Sequence, residues 1–120
     1  MLLHLLKSKL HLATVTAAEL HYHGSVSIPA DLLDAVGLIP YEKVLIGNCA
    51  NGQRGETYVI RGEPGTGQIQ MNGAMARMAT AGDRIIIMSF AELTPQEAAT
   101  HRPKIAVLDR ENRIVEQWEG

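Results

Sequence analysis

Residues 44–60 read VLIGNCANGQRGETYVI. The runs at 44–48 and 57–60 are rich in apolar and β-branched residues. Between them stands Asn51-Gly52, the dipeptide best suited to the positive φ angles of a hairpin turn. An antiparallel strand pair is expected here, with a connection longer than two residues. Downstream, residues 84–90, RIIIMSF, carry three consecutive isoleucines, the composition of a buried strand. Upstream, residues 9–15 alternate with a period of two. Lys9, His11, Ala13 and Val15 fall on one side, and Leu10, Leu12 and Thr14 on the other. Residues 20–28 read as a further β segment, with a bend at Gly24, where a strand favours a side chain.

Two short helices break this pattern. Pro29 at a first helical position, apolar Leu32, Leu33 and Val36, and a stop at Gly37 describe about two turns. Thr94-Pro95-Gln96-Glu97 has the form of a capping box that opens a second helix. Gly62, Gly65 and Gly67 around Pro64 mark a turn before a short strand at 68–71, which ends at Asn72-Gly73. Residues 74–79 suit one helical turn, and 104–108 with 113–118 a terminal hairpin. About seven short β segments at close spacing predict a mainly β fold, a small closed barrel forming a single domain over residues 1–120.

Hydrophobic residues make up 46% of the 120 and aromatic ones only 4%, so the core must come from Val, Ile, Leu, Met and Ala. Eleven Lys and Arg against thirteen Asp and Glu leave a formal charge of −2, without the basic stripe that a nucleic acid partner requires. The lone Cys49 has no intrachain disulfide partner, which predicts a cytoplasmic setting. His4, Lys7, Lys9 and His11 interrupt the leucine-rich residues 1–12, which are read as part of the mature fold rather than a signal segment. No run approaches the ~18 apolar residues of a membrane helix.

There is no P-loop, no G-x-S-x-G, no H-E-x-x-H and no C-x-x-C. His21 and His23 fall on one face of the expected strand and, with His11, make a possible zinc set. Exposed surface histidines are the preferred interpretation, and no metal is expected. Gly24-Ser25 is the candidate reactive pair. A serine hydroxyl attacks its own upstream carbonyl when the backbone is held in strain, and glycine before it removes a crowding Cβ. Elimination of the resulting ester cuts the chain and leaves dehydroalanine, which hydrolyses to a pyruvoyl group with loss of ammonia.

Lys9, His21-Tyr22-x-Gly24-Ser25, Asn51-Gly52, Arg54-x-x-Thr57-Tyr58 and Asn72-Gly73-Ala74 follow one another in an order and spacing that resembles the pyruvoyl-dependent aspartate 1-decarboxylase family. The resemblance runs from about Lys9 to Pro103, most of the chain, and rests on the five pieces jointly. It implies a six-stranded double-psi β-barrel, a homotetramer with active sites between subunits, and self-cleavage into residues 1–24 and 25–120. The implied reaction turns L-aspartate into β-alanine and CO₂ for pantothenate synthesis. A helper protein for maturation is left open.

Position by position, the resemblance makes Ser25 the precursor of the pyruvoyl ketone that forms a Schiff base with substrate, in place of pyridoxal phosphate. Tyr58 becomes the proton donor. Thr57 polarises the Gly24 carbonyl and later contacts substrate, and Asn72 donates to the pyruvoyl oxygen. The backbone of Gly73, Ala74 and Met75 lines the substrate pocket, and Arg54 and Lys9 hold the substrate's carboxylates, Arg54 as a bidentate clamp and Lys9 as a point charge.

Four positions depart from the family pattern. Leu12 replaces arginine, Gly55 a bulky apolar residue, Glu56 a serine, and Met75 a small alanine. Glu56 brings a negative charge toward a site for a dianion, and must turn outward or pair with Arg54. On a regular strand Arg54, Glu56 and Tyr58 share one face and Thr57 takes the other. Joint service of Thr57 and Tyr58 then requires a bulge, a strand end or a wall from a neighbouring subunit. The competing expectation is a non-processing β-barrel that binds a small ligand without catalysis.

Overall fold

The computed structural model describes all of residues 1–120. Its strands are β1 (Leu3–Thr14), β2 (Ala17–Glu19), β3 (Ser25–Pro29), β4 (Lys43–Asn48), β5 (Arg54–Gly62), β6 (Gln70–Asn72), β7 (Arg84–Leu93), β8 (Lys104–Leu108) and β9 (Ile114–Glu119). Two helices, α1 (Ala30–Val36) and α2 (Pro95–Ala98), and a 3-10 turn (Gly73–Arg77) complete the chain. The fold is mainly β, a small β-barrel with short helices. Its hydrogen-bonded order runs β2-β6-β3-β5-β4-β7-β1-β8-β9.

Polar side chains draw the two ends of this order together. In the β8–β9 turn, Asn112 donates to Thr14 O at 2.9 Å and Gly67 O at 2.7 Å, and accepts from Thr14 N. At one end, Thr16 extends the β2–β6 pairing: its backbone N–H donates to Ile69 O, and its hydroxyl accepts from Ile69 N at 2.9 Å. The curled sheet encloses one cluster of 20 buried residues, chiefly Leu, Ile, Val, Met and Ala, as the low aromatic content requires.

The central hairpin forms as its sequence dictates. Lys43 to Gly47 pair with Tyr58 to Arg54 without interruption. The connection is five residues, Gly52 has φ 75° there, and its N–H reaches Asn48 O at 2.8 Å. Asn48 is buried and donates to Met78 O and to the Asp83 carboxylate. That bond, with the Thr80 N–H, holds the Asp83 carboxyl below the usual range. Helix α1 ends at Gly37 in the left-handed region, and two β1 side chains satisfy its last carbonyls. The Ser8 hydroxyl donates to Val36 O, and the Lys7 ammonium donates to Gly37 O and pairs with Glu42 at 3.1 Å.

Two sequence expectations are corrected. Residues 20–28 are not one strand: β2 stops at Glu19 and β3 starts at Ser25, so His21, Tyr22, His23 and Gly24 lie in the connection. The alternation of residues 9–15 also fails in its middle. Leu10 pairs with Ile87 and Ala13 with Ile85, which leaves His11 and Leu12 as a bulge, with Leu12 at φ 64°. Leu10 and Ala13 are consequently both in the core. A leucine in that conformation is strained; here the Arg84 guanidinium donates twice to Leu12 O, at 3.0 and 2.7 Å, and holds it.

Candidate active site

Ser25 opens β3 and is almost wholly buried. It stands opposite Asn72, the last residue of the antiparallel neighbour β6. Asn72 Nδ2 donates to Ser25 Oγ at 2.9 Å, Asn72 Oδ1 accepts from Gln70 Nε2 at 2.8 Å, and the serine hydroxyl points to His23 O at 3.4 Å. A buried hydroxyl thus sits beside the Gly24 peptide with a donor fixed on its oxygen.

The glycine requirement is located differently from the sequence expectation. A Cβ built on Gly24 meets nothing within 4 Å, and Gly24 is not among the residues of positive φ. The demanding position is Gly73, at φ 66°, where a Cβ would fall 2.7 Å from Gly24 Cα and 2.9 Å from Gly24 N. The backbone of the 3-10 turn is seated against Gly24 at its Cα and N, one bond short of the Gly24–Ser25 peptide, and leaves no open room for a side chain at 73.

Beyond Ser25, β3 pairs in parallel with β5, and the ladder begins at Val26 opposite Val59. Ser25 and Tyr58 therefore stand immediately before the first paired residues of adjacent strands. β5 is regular: Arg54, Glu56 and Tyr58 are exposed, and Gly55, Thr57 and Val59 face inward. No bulge brings Thr57 and Tyr58 to one side. Both nevertheless line a cavity of about 300 Å³ with Lys43 and Glu56. Glu56 does not pair with Arg54: its carboxylate meets Lys43 Nζ at 2.8 Å across the β4–β5 ladder, a hydrogen bond that raises the Lys43 pKa. The Tyr58 ring leans on Tyr41, centroids 6.2 Å apart.

Arg54 lines a second, smaller cavity with Gly47, Asn48 and Gln53. Lys9 stands opposite Met88 on β7 and Ile105 on β8, and neither cation forms an ion pair within the chain. A single row crosses the outer face from Glu56 through Leu45 and Met88 to Lys9. That is three strand spacings, about 14 Å along the sheet at ~4.8 Å each. One chain does not bring Lys9 to Arg54. Beside Lys9, His11 has a buried, unpaired Nδ1. Burial first, then the charges of Lys9 and Arg84, hold His11 below its ordinary pKa. His11, His21 and His23 form no cluster, and no three His, Cys, Asp or Glu side chains are placed to hold an ion.

Two departures from the family pattern explain each other. A Cβ on Gly55 would lie 3.2 Å from both Sδ and Cε of Met75 and 3.2 Å from Met78 Sδ. The thioether at 75 occupies the room that a side chain at 55 would need, and joins the core from the 3-10 turn. The sequence did not disclose Gln70, Lys43 and Tyr41 as members of the site. Gln70 and Lys43 act through cross-strand and i, i+2 neighbours, visible only once the register is known. Tyr41 reaches Tyr58 because its backbone N–H bonds Val59 O at 2.7 Å.

Residues 1–115 match the family described as aspartate decarboxylase. The chain is 54% identical to an aspartate 1-decarboxylase of Thioalkalivibrio sulfidiphilus, over 96% of this chain and 91% of that one. It is 53% identical to one of Bacillus subtilis, over 92% and 87%, and 52% identical to one of Chloroherpeton thalassium, over 94% and 83%.

Proposed function

The chain belongs to the aspartate decarboxylase family and decarboxylates L-aspartate, and we propose that it does so with a pyruvoyl group made from its own Ser25. The observation that carries this is the buried Ser25 hydroxyl next to the Gly24 peptide, with the Asn72 amide on its oxygen and Gly73 seated against Gly24. In the proposed maturation, Ser25 Oγ adds to the Gly24 carbonyl carbon and the peptide C–N bond breaks, which leaves Gly24 as an ester. Elimination across Cα–Cβ of Ser25 releases Gly24 as a carboxylate. Hydrolysis of the remaining enamine expels ammonia and leaves the ketone at the head of residues 25–120.

The ketone supplies an electrophile for the substrate amine and a sink for the electron pair left by CO₂. The rest falls to side chains. Thr57 polarises the Gly24 carbonyl, and Asn72 keeps its donor on the oxygen of position 25. Tyr58 holds the proton that returns to the carbon CO₂ has left. Gly73, Ala74 and Met75 line the pocket, Arg54 clamps one carboxylate, and Lys9 reaches the other from an adjacent subunit of a homotetramer. The Lys43–Glu56 pair cancels the charge of Glu56 at the rim. The exposed free thiol of Cys49 suits the cytoplasm, where the β-alanine formed enters pantothenate synthesis.

Intact-mass spectrometry tests the proposal. Purified protein is expected as two species, residues 1–24 and residues 25–120, the larger lighter by one ammonia than simple hydrolysis would leave it. Ser25→Ala is expected as one uncut, inactive chain. Full activity in an uncut chain would overturn the pyruvoyl assignment and leave a decarboxylase of another mechanism; an uncut chain that binds aspartate without turnover would restore the ligand-binding alternative.

A further inference from the structure

Asn72 is a two-ended group in a buried place. Its carboxamide offers a donor at one end and an acceptor at the other, and the two ends are nearly the same shape. Ser25 has a single proton, which goes to His23 O, so its oxygen is left as an acceptor. The useful end of Asn72 is therefore Nδ2, and something must keep it there.

We propose that Gln70 is a positioning residue for this site: by donating from Nε2 to Asn72 Oδ1, it fixes the Asn72 amide with Nδ2 toward Ser25. The two residues stand at i and i+2 of β6, so their side chains leave the same face. Their partners across the antiparallel ladder are Ser25 and Ser27. The bonds run in one direction, Gln70 Nε2 to Asn72 Oδ1 at 2.8 Å and Asn72 Nδ2 to Ser25 Oγ at 2.9 Å. With Asn72 turned over, its carbonyl oxygen would take the serine proton during maturation. The same oxygen would later confront the ketone oxygen with an acceptor, a buried repulsion with no donor to relieve it. This inference rests on cleavage at Gly24-Ser25.

Gln70→Glu is the diagnostic variant, because it keeps length and shape while a carboxylate at neutral pH can only accept. It forces Asn72 to offer Nδ2 to position 70 and Oδ1 to Ser25. Cleavage followed by intact mass at pH 8 is expected to slow about tenfold, the worth of one hydrogen bond. It should recover as the pH falls and the new carboxyl regains a proton to donate. Gln70→Leu should slow cleavage without any recovery in acid, and in matured enzyme both variants should lower kcat more than they raise KM. A Gln70→Glu time course that matches the unaltered chain at both pH values would overturn the role of Gln70 and leave self-cleavage standing. Failure of the unaltered chain to cleave would sink self-cleavage itself. In that event nuclear Overhauser contacts of the Asn72 amide protons still decide: contacts to the Ser25 Hβ protons in the unaltered chain, replaced by contacts to the side chain at position 70 in Gln70→Glu, support the network, and the same contacts in both refute it.

Discussion

At the scale of single residues, the site turns on a contact between two glycines. Gly73 adopts φ 66° with its α-carbon facing Gly24, and Gly24 itself has open space around it. The two positions therefore differ in what an added methyl does. At 73 a methyl meets a left-handed backbone that costs an L-residue roughly 1–2 kcal/mol, and it also strikes Gly24 Cα at 2.7 Å. Gly73→Ala is expected to fold with a melting temperature lowered by several degrees and to cleave at least tenfold more slowly, because relief of the clash displaces Gly24, whose carbonyl is the proposed point of attack. Gly24→Ala should leave the melting temperature nearly unchanged. Thermal denaturation and a mass time course on both variants check this, and a Gly73→Ala chain that cleaves at the normal rate would show that the contact is immaterial. The sequence made Gly24, Ser25 and Asn72-Gly73 conspicuous but assigned the conformational demand to Gly24. Residues 24 and 73 meet only through tertiary structure, so no local pattern records which of them is crowded.

At the scale of elements, strand β5 meets the 3-10 turn through Gly55 and the Met75 thioether. The β5 alternation was legible because both of its faces are set by residue type: Val44, Ile46 and Val59 bury one side of the hairpin, and charged residues cover the other. The bulge in β1 was not legible, because the contact that holds it comes from Arg84 at the start of β7, whose side chain donates to Leu12 O. Nor was the split of residues 20–28, since β2 exists only as a parallel partner of β6. Gly55 and Met75 belong to the same class of information: each stands out alone, and only their contact explains both. Gly55→Val should push the Met75 thioether off the strand, shift the turn that carries Gly73, and raise KM for aspartate several-fold. Met75→Ala in the same chain should restore most of the loss. Steady-state kinetics on the two single variants and the double variant form the cycle. Additive effects would mean that the two positions do not share a space.

At the scale of the whole molecule, the proposed site residues lie on two separate parts of one chain. Ser25, Asn72, Thr57 and Tyr58 cluster around the start of the β3–β5 ladder, and Lys9 lies across the outer face on β1. That face carries half-buried Leu45, Ile86, Met88 and Ile105 with exposed Phe90 and Trp118, an apolar band of the kind that marks association. On a convex sheet, side chains from strands three steps apart diverge, which disfavours a single chain's Lys9 and Arg54 as the pair that holds the two ends of a four-carbon dianion. In the proposed homotetramer, a second copy covering the band would bring its Lys9 to the first copy's Arg54 and Ser25. Mixing inactive variants tests this arrangement. Lys9→Ala chains keep Ser25, and Ser25→Ala chains keep Lys9, so each alone should be nearly inactive. Coexpressed in equal amounts, they should regain about a quarter of the normal activity per site if every site draws the two residues from different chains of a symmetric assembly. Activity no higher than that of the separate variants, in a mixture that forms mixed oligomers by mass, would place Lys9 and Ser25 of one chain in the same site, against the spacing of the sheet.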